Sequence, residues 1–378
     1  MKVFVGLSGG VDSAVAAYLL IQQGHEVECG FMRNWDASIN NDIFGNPTLN
    51  QEVCPQETDY MDALKVANQL GVKLHRVDFV QAYWDEVFQV FLDETKKGYT
   101  PNPDILCNKH IKFDAFVAYA KQHGFDAVAT GHYAQTVKID GRTYLKKAVD
   151  KNKDQTYFLV QIPQETLDYT LFPLGHLLKE DVRQIAIKQS FELATKKDST
   201  GICFIGERHF REFLHNYIPK HQGNIIDVDT QKIVGTHHGV MFYTIGQRKG
   251  LNIDHHHGPW FVVGKDLDRN ELYVGLTQDH VDLFSDTCII NRLNWLSDQY
   301  PKHAQAKFRY RQKDNAVDIE YQKDEIILSY PQTIASVTKG QEAVLYVDDI
   351  CIGGGQISDV FKNGQSLHDI VKRKVHHD

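Results

Sequence analysis

Residues 3–13 read VFVGLSGGVDS, an apolar run of strand length followed by a glycine turn and then by a helical pattern. The adjacent Gly9 and Gly10 let the backbone bend tightly and approach a phosphate without an intervening Cβ. Ser8 and Ser13 offer hydroxyl groups, and the start of the next helix supplies free N–H groups and a partial positive charge. The segment therefore predicts a phosphate-binding loop between a strand and a helix. The alternative is an ordinary strand-to-helix turn capped by its own polar side chains.

Outward from this loop, the first half of the chain alternates between strand-like and helical patterns. Apolar runs of strand length occur at residues 3–7, 26–32, 73–78 and 127–130. Helical patterns lie between or after them, at residues 13–23, 57–70, 83–97 and 111–123. Such alternation is typical of a parallel sheet covered by helices on both faces. We therefore predict an α/β domain over residues 1–217.

The pattern changes near Gly223, where helical periodicity fades. Short runs rich in Val, Ile, Tyr and Phe follow, separated by Gly, Asp and Asn. Runs of this kind are typical of small β-rich domains. We predict a small central β-rich domain over residues 218–284 and a C-terminal β-barrel domain over residues 285–378.

Composition excludes several classes of protein. The 378 residues are 42% hydrophobic and 24% charged, and no apolar stretch approaches the roughly 18 residues that span a bilayer. With no signal-peptide pattern at the N-terminus, a cytoplasmic protein without a membrane partner is expected. The net charge of −8 does not exclude a nucleic-acid partner, because the electrostatic contacts that matter are local.

The six cysteines contain no C-x-x-C pair, which argues against a closed zinc site or a disulfide framework. No permanent metal is expected. The run His255–His257 lies in a turn bounded by Gly and Asp, and both a metal site and a solvated loop are compatible with it.

Two cysteines have polar surroundings. Cys107 follows two prolines, which predict an extended loop leading to a helix near Ile111, with Asp104 close enough to act as a proton acceptor. Cys203 is flanked by glycines, as in a flexible loop that approaches a ligand. Two such thiols could serve as nucleophile and resolving cysteine. The alternative for each is a buried structural thiol.

The loop at residues 6–13 resembles the pyrophosphate loop (PP-loop) of ATPases that cleave ATP to AMP and pyrophosphate. Nine further strings, together with this one, resemble tRNA-specific 2-thiouridylases in the order of that family. They are FMRNWD (31–36), TPNPDILCNKHIKF (100–113), ATGHYA (129–134), KDQTYFL (153–159), KKDSTGICFIGER (196–208), YTIGQRKGL (243–251), GPWFVVGKD (258–266), FRYRQ (308–312) and CIGGGQI (351–357).

The resemblance implies a HUP-like PP-loop fold and ATP-dependent thiolation at C2 of a wobble uridine in tRNA. It implies that Cys203 carries persulfide sulfur, that Cys107 attacks or resolves it through a transient disulfide, and that Asp104 is the acid/base residue. ATP with Mg²⁺ is the expected cofactor, Asp12 is expected beside the phosphates and Mg²⁺, and a cysteine desulfurase or relay protein is the expected sulfur donor. The implied ATP contacts are Gly6, Leu7, Ser8, Gly9, Gly10, Val11, Asp12, Ser13, Met32 and Gly131.

The resemblance also implies contacts with tRNA. These positions are Asn102, Pro103, Asp104, His132, Lys153, Asp154, Gln155, Arg309, Tyr310 and Gln341. Residues 304–310 read as a strand, and alternation along FRYRQ (308–312) would place Arg309 and Arg311 on one face and Phe308, Tyr310 and Gln312 on the other. Such a basic stripe fits a phosphate backbone, and it equally fits a solvated barrel face.

Two other functions compete with this hypothesis. An amidating PP-loop ligase would need ammonia or an amine and no essential thiol. A non-catalytic tRNA-binding module would hold ATP without releasing pyrophosphate.

Overall fold

The computed structural model describes residues 1–40, 42, 55–196, 210–253 and 258–376. Its first 217 residues hold seven described strands: β1 (Lys2–Gly6), β2 (Glu26–Arg33), β3 (Leu74–Asp78), β4 (Ala127–Ala129), β5 (Ala134–Ile139), β6 (Arg142–Lys147) and β7 (Thr170–Leu171). The α-helices of this part are α1 (Val11–Gln22), α2 (Pro55–Leu70), α3 (Val80–Tyr83), α4 (Gln89–Lys96), α5 (Pro103–Cys107), α6 (Phe116–Gln122), α7 (Gln164–Leu167), α8 (Lys179–Lys188) and α9 (Phe210–Leu214). π-helical turns join α3 to α4 and α5 to α6.

Five of these strands form a parallel sheet in the order β3-β2-β1-β4-β7. The chain moves outward from β1 to β2 and β3, and then returns to the other side of β1 with β4. The order therefore reverses between β1 and β4. In open α/β sheets, ligands bind beyond the carboxyl ends of the strands at such a point.

Both faces of this sheet are covered. On one face, small side chains of α1, including Ala14 and Ala17, pack with Val66 of α2 and Ala186 of α8. On the other face, aromatic side chains predominate, and the ring of Phe4 stacks on that of Phe116 at 4.7 Å between centroids. Burial on both sides explains why the central strands β1 and β4 read as continuous apolar runs.

The central part is a four-stranded sheet. It contains β8 (Gly223–Asp227), β9 (Ile233–His237), β10 (Trp260–Asp266) and β11 (Glu271–Leu276), in the order β10-β11-β8-β9. Alternating side chains of these strands, among them Ile225, Val262 and Leu272, form its core.

The C-terminal part is a closed barrel. Its strands are β12 (Phe284–Trp295), β13 (His303–Lys307), β14 (Asn315–Tyr321), β15 (Ile326–Ala335), β16 (Glu342–Val347) and β17 (Ile350–Lys362), followed by β18 (Gln365–Ser366) and helix α10 (Leu367–His376). Neighbours pair in the order β12-β15-β14-β13-β16-β17, and pairing of β12 with β17 closes the ring. Closure leaves no free edge in the ring. The predicted fold class, an α/β domain followed by two β-rich domains of which the last is a barrel, is confirmed.

Two elements join parts of the chain that are distant in sequence. The hairpin β5–β6 leaves the α/β part and pairs through β6 with β17, with Leu145 opposite Cys351. Helix α10 returns from the barrel and packs Val371 and Val375 against the central sheet. The sequence patterns predicted neither contact. Within the described ranges, no helix is long and apolar enough to cross a membrane.

Candidate active site

The loop at residues 7–10 leads from β1 into α1 and is held by two serines. The backbone N–H of Ser8 donates to Ser13 Oγ at 3.1 Å, and Ser13 Oγ donates to the carbonyl oxygen of Gly10 at 3.1 Å. Gly9 has a φ of +74°, and a Cβ there would lie 2.2 Å from the carbonyl oxygen of Asp59. Among the described residues, no acceptor is found for the N–H groups of Gly9 and Gly10. These groups, with the N-terminus of α1, suit an anionic ligand.

Asp12, in the first turn of α1, is held by two side chains from distant parts of the sequence. Lys179 Nζ lies 2.7 and 2.8 Å from its two carboxylate oxygens, and the hydroxyl of Tyr133 donates to Oδ1 at 2.9 Å. Lys179 is 9% exposed and begins α8. A lysine from a distant part of the chain therefore lies beside the predicted loop, whose own sequence contains none.

Lys196 holds the loop from another side. Its Nζ donates to the carbonyl oxygen of Gly9 at 3.0 Å and to carboxylate oxygens of Asp59 and Asp62, both at 2.8 Å. Burial opposes the charge of Lys196, but the two carboxylates outweigh it and raise the pKa of the ammonium. A trans peptide places C=O and the next N–H on opposite sides. Because Lys196 binds the Gly9 carbonyl, the N–H of Gly10 points away from Lys196.

The sheet order brings the remaining predicted ATP-binding residues near this loop. Gly131 follows β4, and a Cβ there would lie 2.7 Å from the backbone nitrogen of Ser13. Met32 is buried near the end of β2, where its Cε would meet a Cβ on Gly6 at 2.9 Å. The predicted residues therefore converge at the carboxyl ends of β1, β2 and β4.

The segment with Asp104 and Cys107 is helical, so the predicted extended loop is wrong. Helix α5 begins at Pro103, and the side chain of Asn102 caps it by accepting from the backbone N–H of Asp104 at 3.1 Å. Proline is tolerated there because the first helical N–H has no intrahelical partner. The helix continues through the π-turn Asn108–Ala115 into α6.

Asp104 and Cys107 are three residues apart in the sequence. Because the segment is helical, they lie on one face of the helix. Asp104 is half-buried, whereas Cys107 has no exposed surface and packs in the same apolar cluster as Met32. Cys203 lies outside the described residues, as does the run His255–His257. In the part of the chain that the structure describes, no group of three or more His, Cys, Asp or Glu side chains could hold a metal ion.

Several residues predicted to touch tRNA have partners within the protein. Asp154 is buried and accepts from the backbone N–H of Ala148 at 3.0 Å. The side chain of Gln155 accepts from the backbone N–H of Tyr133 at 2.9 Å. Lys153 is half-buried beside them. The contacts of Asp154 and Gln155 hold these two residues against the base of the hairpin, where β5 begins and β6 ends.

His132 is half-buried, and its Nδ1 lies 2.8 Å from the hydroxyl of Thr130. Burial, aided by the charge of Lys112, lowers the pKa of His132 well below its usual value. The imidazole is therefore neutral at pH 7, so it can take part in hydrogen bonds but adds no positive charge for a phosphate.

The predicted strand over residues 304–310 ends early, so the predicted alternation of its side chains is wrong. Strand β13 stops at Lys307, because the side chain of Gln312 accepts from the backbone N–H of Phe308 at 2.8 Å and closes a turn. Arg311 in that turn has a φ of +59°. Arg309 donates to the carbonyl oxygen of Ile245 at 2.7 Å, and burial lowers the pKa of its guanidinium.

The barrel nevertheless meets the segment around α5. The ring of Tyr310 lies 4.4 Å from that of Phe158, and the carbonyl of Phe158 accepts from Asn108, next to Cys107. Gln341 donates to the carbonyl oxygen of Thr100. The structure thus brings Tyr310 and Gln341 of the barrel close to residues 100–108 of the α/β part, the segment that contains Asp104 and Cys107.

Comparison with known proteins finds matches over nearly the whole chain. Residues 1–207 match the family model described as tRNA methyl transferase HUP domain, residues 211–276 its PRC-barrel domain, and residues 285–357 the aminomethyltransferase beta-barrel domain. The tRNA-specific 2-thiouridylase MnmA of Mycoplasma capricolum is 54% identical to this chain. The aligned region covers 96% of this chain and 99% of that protein. The chain belongs to the tRNA-specific 2-thiouridylase family. The predicted family is thereby confirmed.

Other members of this thiouridylase family are similarly close. Those of Mycoplasma mycoides and Mesoplasma florum are each 54% identical to this chain. The aligned regions cover 96% and 95% of this chain, respectively, and 99% of each relative. Matches of this length extend over the α/β part, the central sheet and the barrel together. The comparison therefore concerns the full three-part architecture and not the PP-loop alone.

Sequence reasoning about this family missed three residues that contact the loop or the first turn of α1. Lys179, Tyr133 and Lys196 lie near α1 in space but far from it in sequence. Two of them stand within or at the edge of quoted family strings, ATGHYA and KKDSTGICFIGER. Lys179 lies in the first turn of a helix that follows a segment rich in Gly and Leu. That local sequence does not indicate a functional role.

Proposed function

We propose that this chain catalyses ATP-dependent 2-thiolation of the wobble uridine of tRNA. The observation that carries the proposal is the full-length match to tRNA-specific 2-thiouridylases, at 54% identity. The geometry of the loop supports it, because N–H groups with no acceptor among the described residues, a glycine turn and a helix N-terminus suit the phosphates of a nucleotide. We expect the reaction to take place in the cytoplasm.

In the first step, the C2 oxygen of the uridine attacks the α-phosphorus of ATP. The P–O bond to pyrophosphate breaks, and the base is left with AMP as a good leaving group. The loop from Gly6 to Ser13 binds the phosphates, while Met32 and Gly131 contact the rest of the nucleotide. The carboxylate of Asp12 suits Mg²⁺, which prefers oxygen ligands and would neutralise phosphate charge when bound. A wobble base lies in a single-stranded loop, so it can enter such a pocket without opening a duplex.

In the second step, the terminal sulfur of a persulfide on Cys203 bonds to C2, and AMP leaves. The thiolate of Cys107 then attacks the Cys203 sulfur, which releases 2-thiouridine and leaves a transient disulfide. A thiol reductant and a sulfur-donor protein restore the persulfide for the next turnover. Asp104, one helical turn from Cys107, exchanges the proton at N3 of the base. Because Cys107 has no exposed surface, its neighbours must move before it can react.

The test is thiolation of unmodified tRNA with Mg-ATP and a cysteine desulfurase as sulfur source, with 2-thiouridine measured by mass spectrometry. Wild type should form it only with ATP, and Cys203→Ser and Cys107→Ser should form none. Cys288→Ser is the matched control, since Cys288 is fully buried in the barrel and burial raises the pKa of its thiol. Equal product from Cys203→Ser and wild type would refute the persulfide mechanism. Pyrophosphate release without thiolation would indicate a different PP-loop enzyme.

A further inference from the structure

A cavity of about 200 Å³ lies where the three parts of the molecule meet. Lys97–Tyr99, directly after α4, line it from the α/β part, and Ile245 and Val263–Lys265 line it from the central part. Val337–Lys339 of the barrel and Leu367, the first residue of α10, line it from the C-terminal part. Small-molecule sites occur preferentially at such junctions between domains. The volume suits a ligand of roughly six to ten non-hydrogen atoms.

The lining is largely apolar, but it includes the buried ammonium-bearing side chain of Lys265, on β10. Lys265 is 8% exposed and belongs to the string GPWFVVGKD, to which no role has yet been given. Its Nζ donates to the carbonyl oxygen of Tyr243 at 2.9 Å, and no second acceptor is found among the described residues. Because an ammonium has three N–H donors, two of them are left for a further acceptor.

The carboxylates near this cavity are paired with other lysines. Asp266, next to Lys265 in the chain, lies 2.7 Å from the ammonium of Lys372. Asp359 lies 2.8 Å from the ammonium of Lys339, which also lines the cavity. In the part of the chain that the structure describes, no carboxylate forms an ion pair with Lys265.

The charge of Lys265 is therefore uncompensated by these residues. Burial lowers the pKa of Lys265 from 10.5 to about 8, so most molecules keep this ammonium protonated at pH 7. His368, also in the lining, adds no charge at pH 7 because burial lowers its pKa from 6.5, and Lys97 is exposed to water. A buried ion without a partner is costly, which favours an anion beside Lys265. Apolar walls disfavour a second negative charge, so the matching ligand is a monoanion with an apolar part.

We propose that this cavity binds a small organic monocarboxylate, with the carboxylate on the Lys265 ammonium and the aliphatic part against Ile245, Val263 and Leu267. The site lies outside the PP-loop, and the proposal requires neither ATP nor tRNA. A ligand that contacts all three parts binds only their native arrangement. Its binding therefore stabilises the chain against unfolding.

The test is calorimetric titration of the intact chain with sodium hexanoate at pH 7, without nucleotide or tRNA. Wild type should bind it saturably with a dissociation constant of about 1 mM or lower. Acetate lacks most of the apolar part and should bind at least about tenfold more weakly. Lys265→Met keeps an unbranched side chain without the charge and should weaken hexanoate binding at least about tenfold. Lys302→Met, at an exposed position of the barrel, is the matched control and should bind like wild type.

Hexanol distinguishes a lost charge from a lost fold. It fills the same apolar space without a charge, so Lys265→Met should bind it at least as well as wild type does. Absence of saturable hexanoate binding by wild type would overturn the proposal, as would equal hexanoate binding by wild type and Lys265→Met. Tighter binding of inorganic phosphate than of hexanoate would refute the monocarboxylate class. Since the titration contains neither ATP nor tRNA, its outcome is independent of whether the chain thiolates tRNA.

Discussion

At the scale of single residues, Gly9 and Gly10 have different structural requirements although they are adjacent. Gly9 occupies the left-handed region at φ +74°, against the backbone of Asp59, whereas Gly10 has a φ of −106° that any residue can adopt. A Cβ on Gly10 would meet Ser8 Oγ at 3.4 Å, which is ordinary contact. The sequence presents two equal glycines, and the local backbone distinguishes them.

Gly9→Ala should therefore destabilise the chain by about 2–4 kcal/mol, because strain at positive φ adds to a clash with backbone. Gly10→Ala should lower the free energy of unfolding by less than about 1 kcal/mol. Urea unfolding of both variants beside wild type measures the difference. Equal losses would show that the loop relaxes around either methyl group.

At the scale of elements, the start of α5 sets the relative position of Asp104 and Cys107. Asn102 caps the helix, and Pro103 at its first position has a suitable φ. The two prolines that suggested an extended loop in fact flank Asn102, the residue that caps the helix, and the second of them is its first residue. A π-turn follows directly, and such turns are frequent at functional sites.

Asn102→Ala should remove the cap and cost about 1 kcal/mol of local helix stability. Hydrogen exchange, followed by mass spectrometry on peptides that cover residues 103–115, should then become faster. Asn102→Asp retains a side-chain acceptor for the N–H of Asp104 and should exchange like wild type. If the Ala variant is also unchanged, the cap does not hold α5.

At the scale of the whole molecule, buried polar side chains connect the α/β part to the barrel. Buried Glu94 of α4 accepts from Gln356 of β17 at 2.8 Å and also pairs with Arg292 of β12, whose side chain is exposed. Glu342 of β16 accepts from Gln161 at 3.3 Å in the same cluster. Burial, with the charge of Glu94 adding to it, raises the pKa of Glu342 from 4.5 to about 7, despite the bond from Gln161.

This raised pKa predicts a pH-dependent stability. Between pH 4.5 and 7, folded Glu342 keeps a proton that the unfolded chain releases. The contribution of this protonation to the free energy of unfolding is therefore fully present below pH 4.5 and is lost as pH rises through 7. Glu342→Gln should remove that slope and raise stability above pH 7 by about 2–3 kcal/mol relative to wild type. Unfolding free energies at pH 5 and 8 test this, with exposed Glu320→Gln as control. Parallel pH profiles for wild type and Glu342→Gln would contradict it.

The sequence by itself determined the elements whose signals are local. The apolar run 3–7, the glycine turn and the helix after it predict a strand, a phosphate loop and a helix, because period and turn chemistry act over a few residues. The ten family strings predicted the family, and the β-rich composition after Gly223 predicted the barrel. The roles of Cys107, Cys203 and Asp104 remain proposals.

Only the tertiary structure decided how distant segments combine. Lys179 meets Asp12 across 167 residues of sequence, β6 joins the barrel through β17, and α10 returns to the central sheet. The segment over residues 308–311 became a turn because a side chain, Gln312, replaced the ladder hydrogen bond. None of these pairings leaves a periodic trace in the chain, because a contact between distant residues depends on the packing of whole elements and not on the spacing within one of them.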